Sequence, residues 1–206
     1  MNARQTGKST TVAALVVQTA LYDPGLILAV APSERQNKEL FIKAKQMYLQ
    51  LDGVPRIAQE STKSMELENG SRIIALPGNE ANIRGYSAPK LVLVDEAARV
   101  DDELMTAVLP MLAVSQGKLV ALTTPYGRRG WFYEAWEHGG PEWERIMVEA
   151  DACPRISLEF LAEQENLLGP WQYRQEYQCE FVDDTEQFFS TELIERALVE
   201  MEPLWT

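Results

Sequence analysis

The chain has 206 residues, enough for one full-sized domain around a single large core. Its 46% apolar and 24% charged residues are those of a globular domain; no apolar run approaches the ~20 residues of a membrane helix, and the N-terminus lacks the basic-then-apolar pattern of an export signal. The formal net charge of −12 excludes a surface that grips nucleic acid over its whole extent, because phosphate affinity comes mainly from Lys and Arg, while a local basic path stays compatible with it.

In chain order, the first ten residues read as a Gly-Lys-Ser loop running into a helix, predicted from Ser9 to about Tyr22 and stopped by Asp23-Pro24-Gly25. Leu26–Ala31 is a continuous apolar run between breakers, as in a parallel strand buried on both faces. Ser33 is placed to cap an amphipathic helix reaching about Leu51, with Leu40, Phe41, Met47 and Tyr48 among its apolar positions. Alternation over Ser64–Glu68, the tight-turn pair Asn69-Gly70 and the run Arg72–Leu76 predict a β-hairpin. After a loop-rich stretch from Pro77 to Pro89, Leu91–Val94 reads as a second buried strand, ending in Asp95-Glu96. A helix over about Asp102–Ala113 leads to a third strand, Lys118–Leu122, terminated by Thr123-Thr124-Pro125. Arg145–Glu149 is expected to be a further strand, after which the chain turns helical and acidic. Strands alternating with helices, with polar residues at their carboxyl ends, indicate an α/β fold built on a mostly parallel sheet with an inserted hairpin. Residues 1–182 are expected to form the domain, and 183–206 a linker or the start of a further domain.

The chemistry concentrates at three places. Asn2-Ala3-Arg4-Gln5-Thr6-Gly7-Lys8-Ser9-Thr10 follows the phosphate-binding pattern G-x-x-x-x-G-K-[ST], with Asn2 at the first glycine. Loop N–H groups and the helix N-terminus would face phosphates, Lys8 would reach the β and γ groups, and the Ser9 hydroxyl would ligate Mg²⁺. Asn2 is expected to substitute for glycine because Asn tolerates positive φ. Asp95, at the tip of a buried strand, would hold Mg²⁺, and Glu96 would polarise the attacking water as general base. Thr123 and Thr124 would sense the γ-phosphate from a neighbouring strand tip. These residues predict ATP and Mg²⁺ as ligands.

Other features carry less. Cys153 and Cys179 lack metal or redox spacing and read as reduced thiols, and His138 reads as a loop residue. Arg35 and Gln36 fit an exposed helix start. Arg128 and Arg129, beside Trp131, Phe132 and Tyr133, fit a DNA contact and a helix start with core aromatics equally well. Asp183 and Asp184 belong to an acidic, solvated run.

Taken together, Ala3–Ser9 with its early arginine, Ile83-Arg84-Gly85 before Leu91–Ala97, Leu122–Pro125, and Tyr173–Phe181 resemble, in order and spacing, the ATPase half of phage terminase large subunits. The resemblance covers almost the whole chain. It implies an ASCE-type P-loop ATPase that works as a ring of identical copies at a procapsid portal, in the host bacterial cytoplasm. Double-stranded DNA, the portal and the small terminase subunit are the implied partners. The implied roles are phosphate and Mg²⁺ binding for Lys8 and Ser9, Mg²⁺ binding for Asp95, general base for Glu96 and coupling for Thr123 and Thr124. Arg4, within its own subunit, and Arg84, toward a neighbour, are candidates for neutralising transition-state charge; the alternative for either is a surface residue or a structural ion pair.

The same resemblance calls for a buried strand entering the loop, between the Thr123 strand and its outer neighbour. This sequence begins at the loop itself, which predicts unpaired backbone groups and a gap there, each costing on the order of a kcal/mol, and leaves hydrolysis by this polypeptide alone open. It ends at Thr206, ahead of any RNase H-like nuclease domain, so no DNA cleavage is expected. Two rival readings are a helicase-type P-loop ATPase and a prophage remnant that binds nucleotide weakly.

Overall fold

The computed structural model describes residues 1–77 and 83–182. Its spine is the apolar run Leu26–Ala31, which forms β1 and pairs in parallel on one side with β4 (Arg72–Pro77) and on the other with β5 (Leu91–Asp95). Five of its six residues are buried because helices cover both faces of the sheet. Alternate side chains divide between the two faces. Ile27, Ala29, Leu91 and Leu93 meet α1 (Lys8–Tyr22) and α2 (Glu34–Leu49) through Val12, Val16, Leu40 and Phe41. Leu28, Val30, Val92 and Val94 join a second core with α3 (Asp102–Ser115), α4 (Gly130–Glu137) and α5 (Leu158–Tyr177).

β6 (Lys118–Leu122) lies parallel to β5, with Leu122 opposite Asp95. On the far side, β4 pairs antiparallel with β3 (Ser64–Leu67), and β3 with β2 (Ile57–Glu60), giving the order β2-β3-β4-β1-β5-β6. The hairpin expected at Asn69-Gly70 is present, with Gly70 at φ 86° and the Ser71 N–H donating to Asn69 Oδ1. Its second strand is an interior member of the main sheet. Asn69 Nδ2 and Ser71 Oγ both donate to the Ala20 carbonyl, fixing the hairpin to the end of α1.

Ser33 caps α2 by accepting the Gln36 N–H. One turn in, the buried Asn37 donates to the Ala31 and Leu76 carbonyls and so joins the tips of β1 and β4. α5 departs from helical geometry at Gly169 (φ 75°, ψ 166°), next to Pro170. No described helix is long and apolar enough to cross a membrane.

The strand expected over Arg145–Glu149 is reduced to a single parallel bridge between Asn2 and Val148. Beside it, among the described residues, Met1–Ala3 reaches the sheet. The Asn2 N–H donates to the Thr123 carbonyl (3.0 Å), the Ala3 N–H to Val148 (2.9 Å), and the Val148 N–H back to Met1 (3.1 Å). The Met1 ammonium donates to the Ile146 carbonyl at 2.7 Å, and its burial lowers its pKa to about 6. Alongside β6, a groove of about 560 Å³ opens between Leu119, Ala121 and the side chains of Trp136, Trp143 and Ile146. β6 is only half-buried where β1 and β5 are covered. The expectations for 183–206, including Asp183 and Asp184, lie outside the described residues.

Candidate active site

The loop between Asn2 and Lys8 turns through two left-handed residues, Gln5 (φ 62°) and Gly7 (φ 96°). Thr6 Oγ1 donates to the Ala3 carbonyl at 2.9 Å and closes the turn. The Gly7 carbonyl accepts the Thr10 and Thr11 N–H groups at 3.0 and 3.1 Å as α1 begins. Such alternation folds backbone N–H groups into a concave anion site, and the amino end of α1 adds its dipole. The structure corrects one expectation here: Asn2 is not among the positive-φ residues. It is still extended, held between Thr123 and Val148, so the sharp turn falls later, at Gln5 and Gly7.

Lys8 points back across this turn. Its Nζ donates to the Asn2 carbonyl at 3.2 Å and lies 3.8 Å from Glu96 Oε1. Both side chains are mostly covered, at 12% and 23% exposure, so the attraction is less screened than at a surface. Glu96 follows β5 in the left-handed region (φ 49°, ψ 45°), a conformation that strains a residue with a Cβ. The bend lets its N–H donate to Asp95 Oδ1 at 3.0 Å. Burial pushes the Asp95 carboxyl above the usual carboxylate range, opposed by that N–H and by Lys8.

The register of β5 and β6 sets Thr123 beside this pair. Thr123 Oγ1 donates to the Thr124 carbonyl (2.6 Å) and accepts the Ala98 N–H (3.3 Å), and both threonines are buried. The Arg99 guanidinium sits 4.0 Å above the Tyr126 ring, a second link between the two strand tips. Asn2, Lys8, Asp95, Glu96, Thr123 and Thr124 thus gather at the carboxyl ends of β5 and β6, where open α/β sheets bind ligands. Ser9 is half-buried in the first turn of α1.

Arg4 goes elsewhere. Its guanidinium pairs with the buried Glu176 of α5, Nε to Oε2 at 2.6 Å, and its N–H donates to the Glu176 carbonyl. Glu176 falls in the Tyr173–Phe181 stretch, but nothing local in the sequence announces a partner so far away. Arg84 is exposed in the turn ahead of β5. Arg35 pairs with Glu39, as at an exposed helix start. Arg128 Nε donates to the Phe181 carbonyl, and Phe132 and Tyr133 pack near Phe181. His138 ends α4, edge-on to Tyr133. Both cysteines are free and buried, and burial pushes the Cys179 thiol to about 11.

Comparison with known proteins agrees with this geometry. The sequence family described as "Terminase large subunit, T4likevirus-type, N-terminal" matches residues 1–196. The terminase large subunit of Escherichia phage T5 is 28% identical over 136 residues, covering 63% of this chain and 31% of that protein. This chain therefore spans about a third of that relative's length. Among solved structures, the large terminase ATPase domain of Thermus phage P74-26 superposes with a TM-score of 0.75 at 21% identity, covering 88% of this chain and 87% of that one. The large terminase of bacteriophage HK97 gives 0.65 at 18% identity, covering 94% and 48%. That of a thermophilic bacteriophage in complex with ADP gives 0.72 at 12%, covering 88% and 47%. These likenesses establish the fold.

Proposed function

We propose that this chain, which belongs to the T4likevirus-type family of terminase large-subunit N-terminal domains, is an ATP-hydrolysing motor domain that drives double-stranded DNA into a viral procapsid. The observation that carries the reading is the approach of Lys8 Nζ to Glu96 Oε1 at 3.8 Å, between the phosphate loop and the tip of β5. A cation that must meet phosphate and a carboxylate that must meet water stand at one place, on rigid elements. The residues 1–182 then act as the ATPase unit.

In this reading ATP enters with its β and γ phosphates on the loop N–H groups, and Lys8 exchanges the Glu96 carboxylate for phosphate oxygens. Glu96 is thereby released to accept a proton from the water that attacks the γ-phosphorus, as the bond to the ADP oxygen breaks. The strained backbone at Glu96 fixes where that carboxylate points. The donor set suits Mg²⁺: a hydroxyl at Ser9 and a carboxylate at Asp95 whose burial disfavours its charge until a cation is near. Bound there by Ser9 and Asp95, the ion would supply positive charge against the charge developing on the phosphates. Thr123 and Thr124, hydrogen-bonded to the Asp95-Glu96 turn through Ala98, carry loss of the γ-phosphate into β6. In this reading Arg4 serves the γ-phosphate only after leaving Glu176, and the exposed Arg84 would serve the nucleotide of a neighbouring copy.

The wider assembly proposed here is supported by the family alone. Copies of this chain form a ring, with the portal and the small terminase subunit as neighbours, in the host cytoplasm. With a net charge of −12, each copy grips DNA only through part of its surface. The test is steady-state hydrolysis of Mg-ATP with and without double-stranded DNA. Glu96→Gln is expected to cut turnover by about 10²–10⁴-fold while Mg-ATP still binds; turnover unchanged in that variant would overturn the assignment.

A further inference from the structure

We propose that Arg155 is a second phosphate-contacting cation of the nucleotide site, laid over the phosphate loop from the turn that precedes α5. The proposal rests on the ATPase reading above and names a residue that no sequence motif marks.

Three observations carry it. A Cβ added at Gly7 would lie 3.0 Å from Arg155 Nη2, so the guanidinium rests on the loop glycine immediately before Lys8. Gly7 is thus constrained twice, by its φ of 96° and by the arginine against it. Second, the turn that carries Arg155 is anchored. The Ala150 N–H donates to the Tyr177 carbonyl, the Cys153 N–H to Ala150 and the Ile156 N–H to Cys153, and Ser157 caps α5 by accepting the Phe160 N–H. The backbone is fixed while the side chain stays exposed. Third, among the described residues no carboxylate forms an ion pair with Arg155, whereas Arg4 is committed to Glu176.

The electrostatic need is plain. Asp95 and Glu96 already stand at the loop with Lys8 as their close cation, and a nucleoside polyphosphate adds several further negative charges. A guanidinium fork presents planar paired donors that match phosphate oxygens better than an ammonium does. The Arg155 backbone N–H first, then its guanidinium, hold the nearby Cys153 thiol below its ordinary range.

The experiment titrates Mg-ATP and Mg-ADP into the wild-type chain, Arg155→Ala and Arg155→Lys, and records each protein's unfolding temperature without ligand. Arg155→Ala is expected to weaken both nucleotides about tenfold, the size of one charge-assisted hydrogen bond, with an unchanged ligand-free unfolding temperature. Arg155→Lys should recover part of the loss. Equal affinities for wild type and Arg155→Ala would overturn this assignment alone. So would a loss that Lys fails to relieve and that comes with a lower ligand-free unfolding temperature, since that describes a structural role. A wild-type chain that binds neither nucleotide would overturn the ATPase reading, and this assignment with it.

Discussion

Arg4 and Glu176 form an ion pair across 172 positions of sequence, with Nε 2.6 Å from Oε2, and it ties the phosphate loop to α5. Glu176 is 5% exposed and Arg4 59%, so the carboxylate is the member that depends on the pair. Arg4→Ala leaves a buried carboxylate without its cation and is expected to destabilise the fold by about 2 kcal/mol, with the exposed arginine discounted for solvent screening. Glu176→Gln keeps a hydrogen-bond acceptor and should cost about 1 kcal/mol. Urea unfolding of both variants and of the double variant checks this. The double should cost less than the sum of the singles, and strict additivity would mean the pair does not operate in solution.

The pH dependence of stability should carry a signature of Asp95. Its folded pKa lies above the ordinary value, first through burial. The folded state therefore holds the proton more tightly than the unfolded state. The associated stability is fully present below the unfolded pKa and is lost as pH rises through the folded one. At neutral pH without nucleotide, Asp95→Asn is expected to gain about 1 kcal/mol, as substitutions that relieve functional sites do, and to flatten the acid side of the stability profile. The same variant should lose most of the stabilisation by Mg-ATP. Unfolding midpoints from pH 3 to 8 check the sign; a stability curve parallel to wild type would contradict it.

Thr123 joins the two strand tips, so Thr123→Val should be felt in both stability and turnover. The variant keeps the shape but removes the donor to the Thr124 carbonyl and the acceptor of the Ala98 N–H. A cost of about 1–2 kcal/mol is expected, together with slower hydrolysis at unchanged nucleotide affinity. Affinity falling in step with turnover would assign Thr123 to binding instead of coupling.

The groove along β6 has a backbone consequence. The Lys118 N–H donates to the Lys90 carbonyl and the Thr123 carbonyl accepts from Asn2, so the period-two alternation aims the Leu119 and Ala121 amides into the groove. These two should exchange hydrogen for deuterium far faster than the Val92 and Leu93 amides of the enclosed β5. Residue-resolved exchange measured by NMR checks this, and equal protection of the two strands would mean the groove is closed in solution.

Much of this was legible in the residues. β1 and β5 were readable because a strand buried on both faces is a pure apolar run between breakers, and the half-buried β6 because its apolar run is bounded by Gly117 and by Thr123-Thr124-Pro125. The hairpin was readable because Asn69-Gly70 is turn chemistry in itself, and the Ser33 cap because capping is local. β2 carries no such mark: Ile57-Ala58-Gln59-Glu60 is exposed apart from Ile57, and its pairing with β3 decides its form. Arg145–Glu149 looked like a strand by composition, yet a strand needs a neighbour along its length, and among the described residues the short segment Met1–Ala3 is what pairs with it. In the site, Lys8, Asp95, Glu96, Thr123 and Thr124 were readable because loop and strand-tip chemistry is written in short motifs. The turn at Gln5 and Gly7 in place of Asn2, the tie of Arg4 to Glu176 and the approach of Arg155 to Gly7 were not, because each is set by tertiary contact.

The most direct test of the central claim is thermal unfolding of this chain with and without Mg-ATP, alongside Lys8→Ala. A ligand bound only by the folded state adds about 2.7 kcal/mol at a hundredfold excess over Kd. A clear upward shift that disappears in Lys8→Ala is the expected result, since Lys8 is the cation standing between the phosphate loop and Glu96. A cooperatively folded wild-type chain whose unfolding temperature ignores Mg-ATP would contradict it.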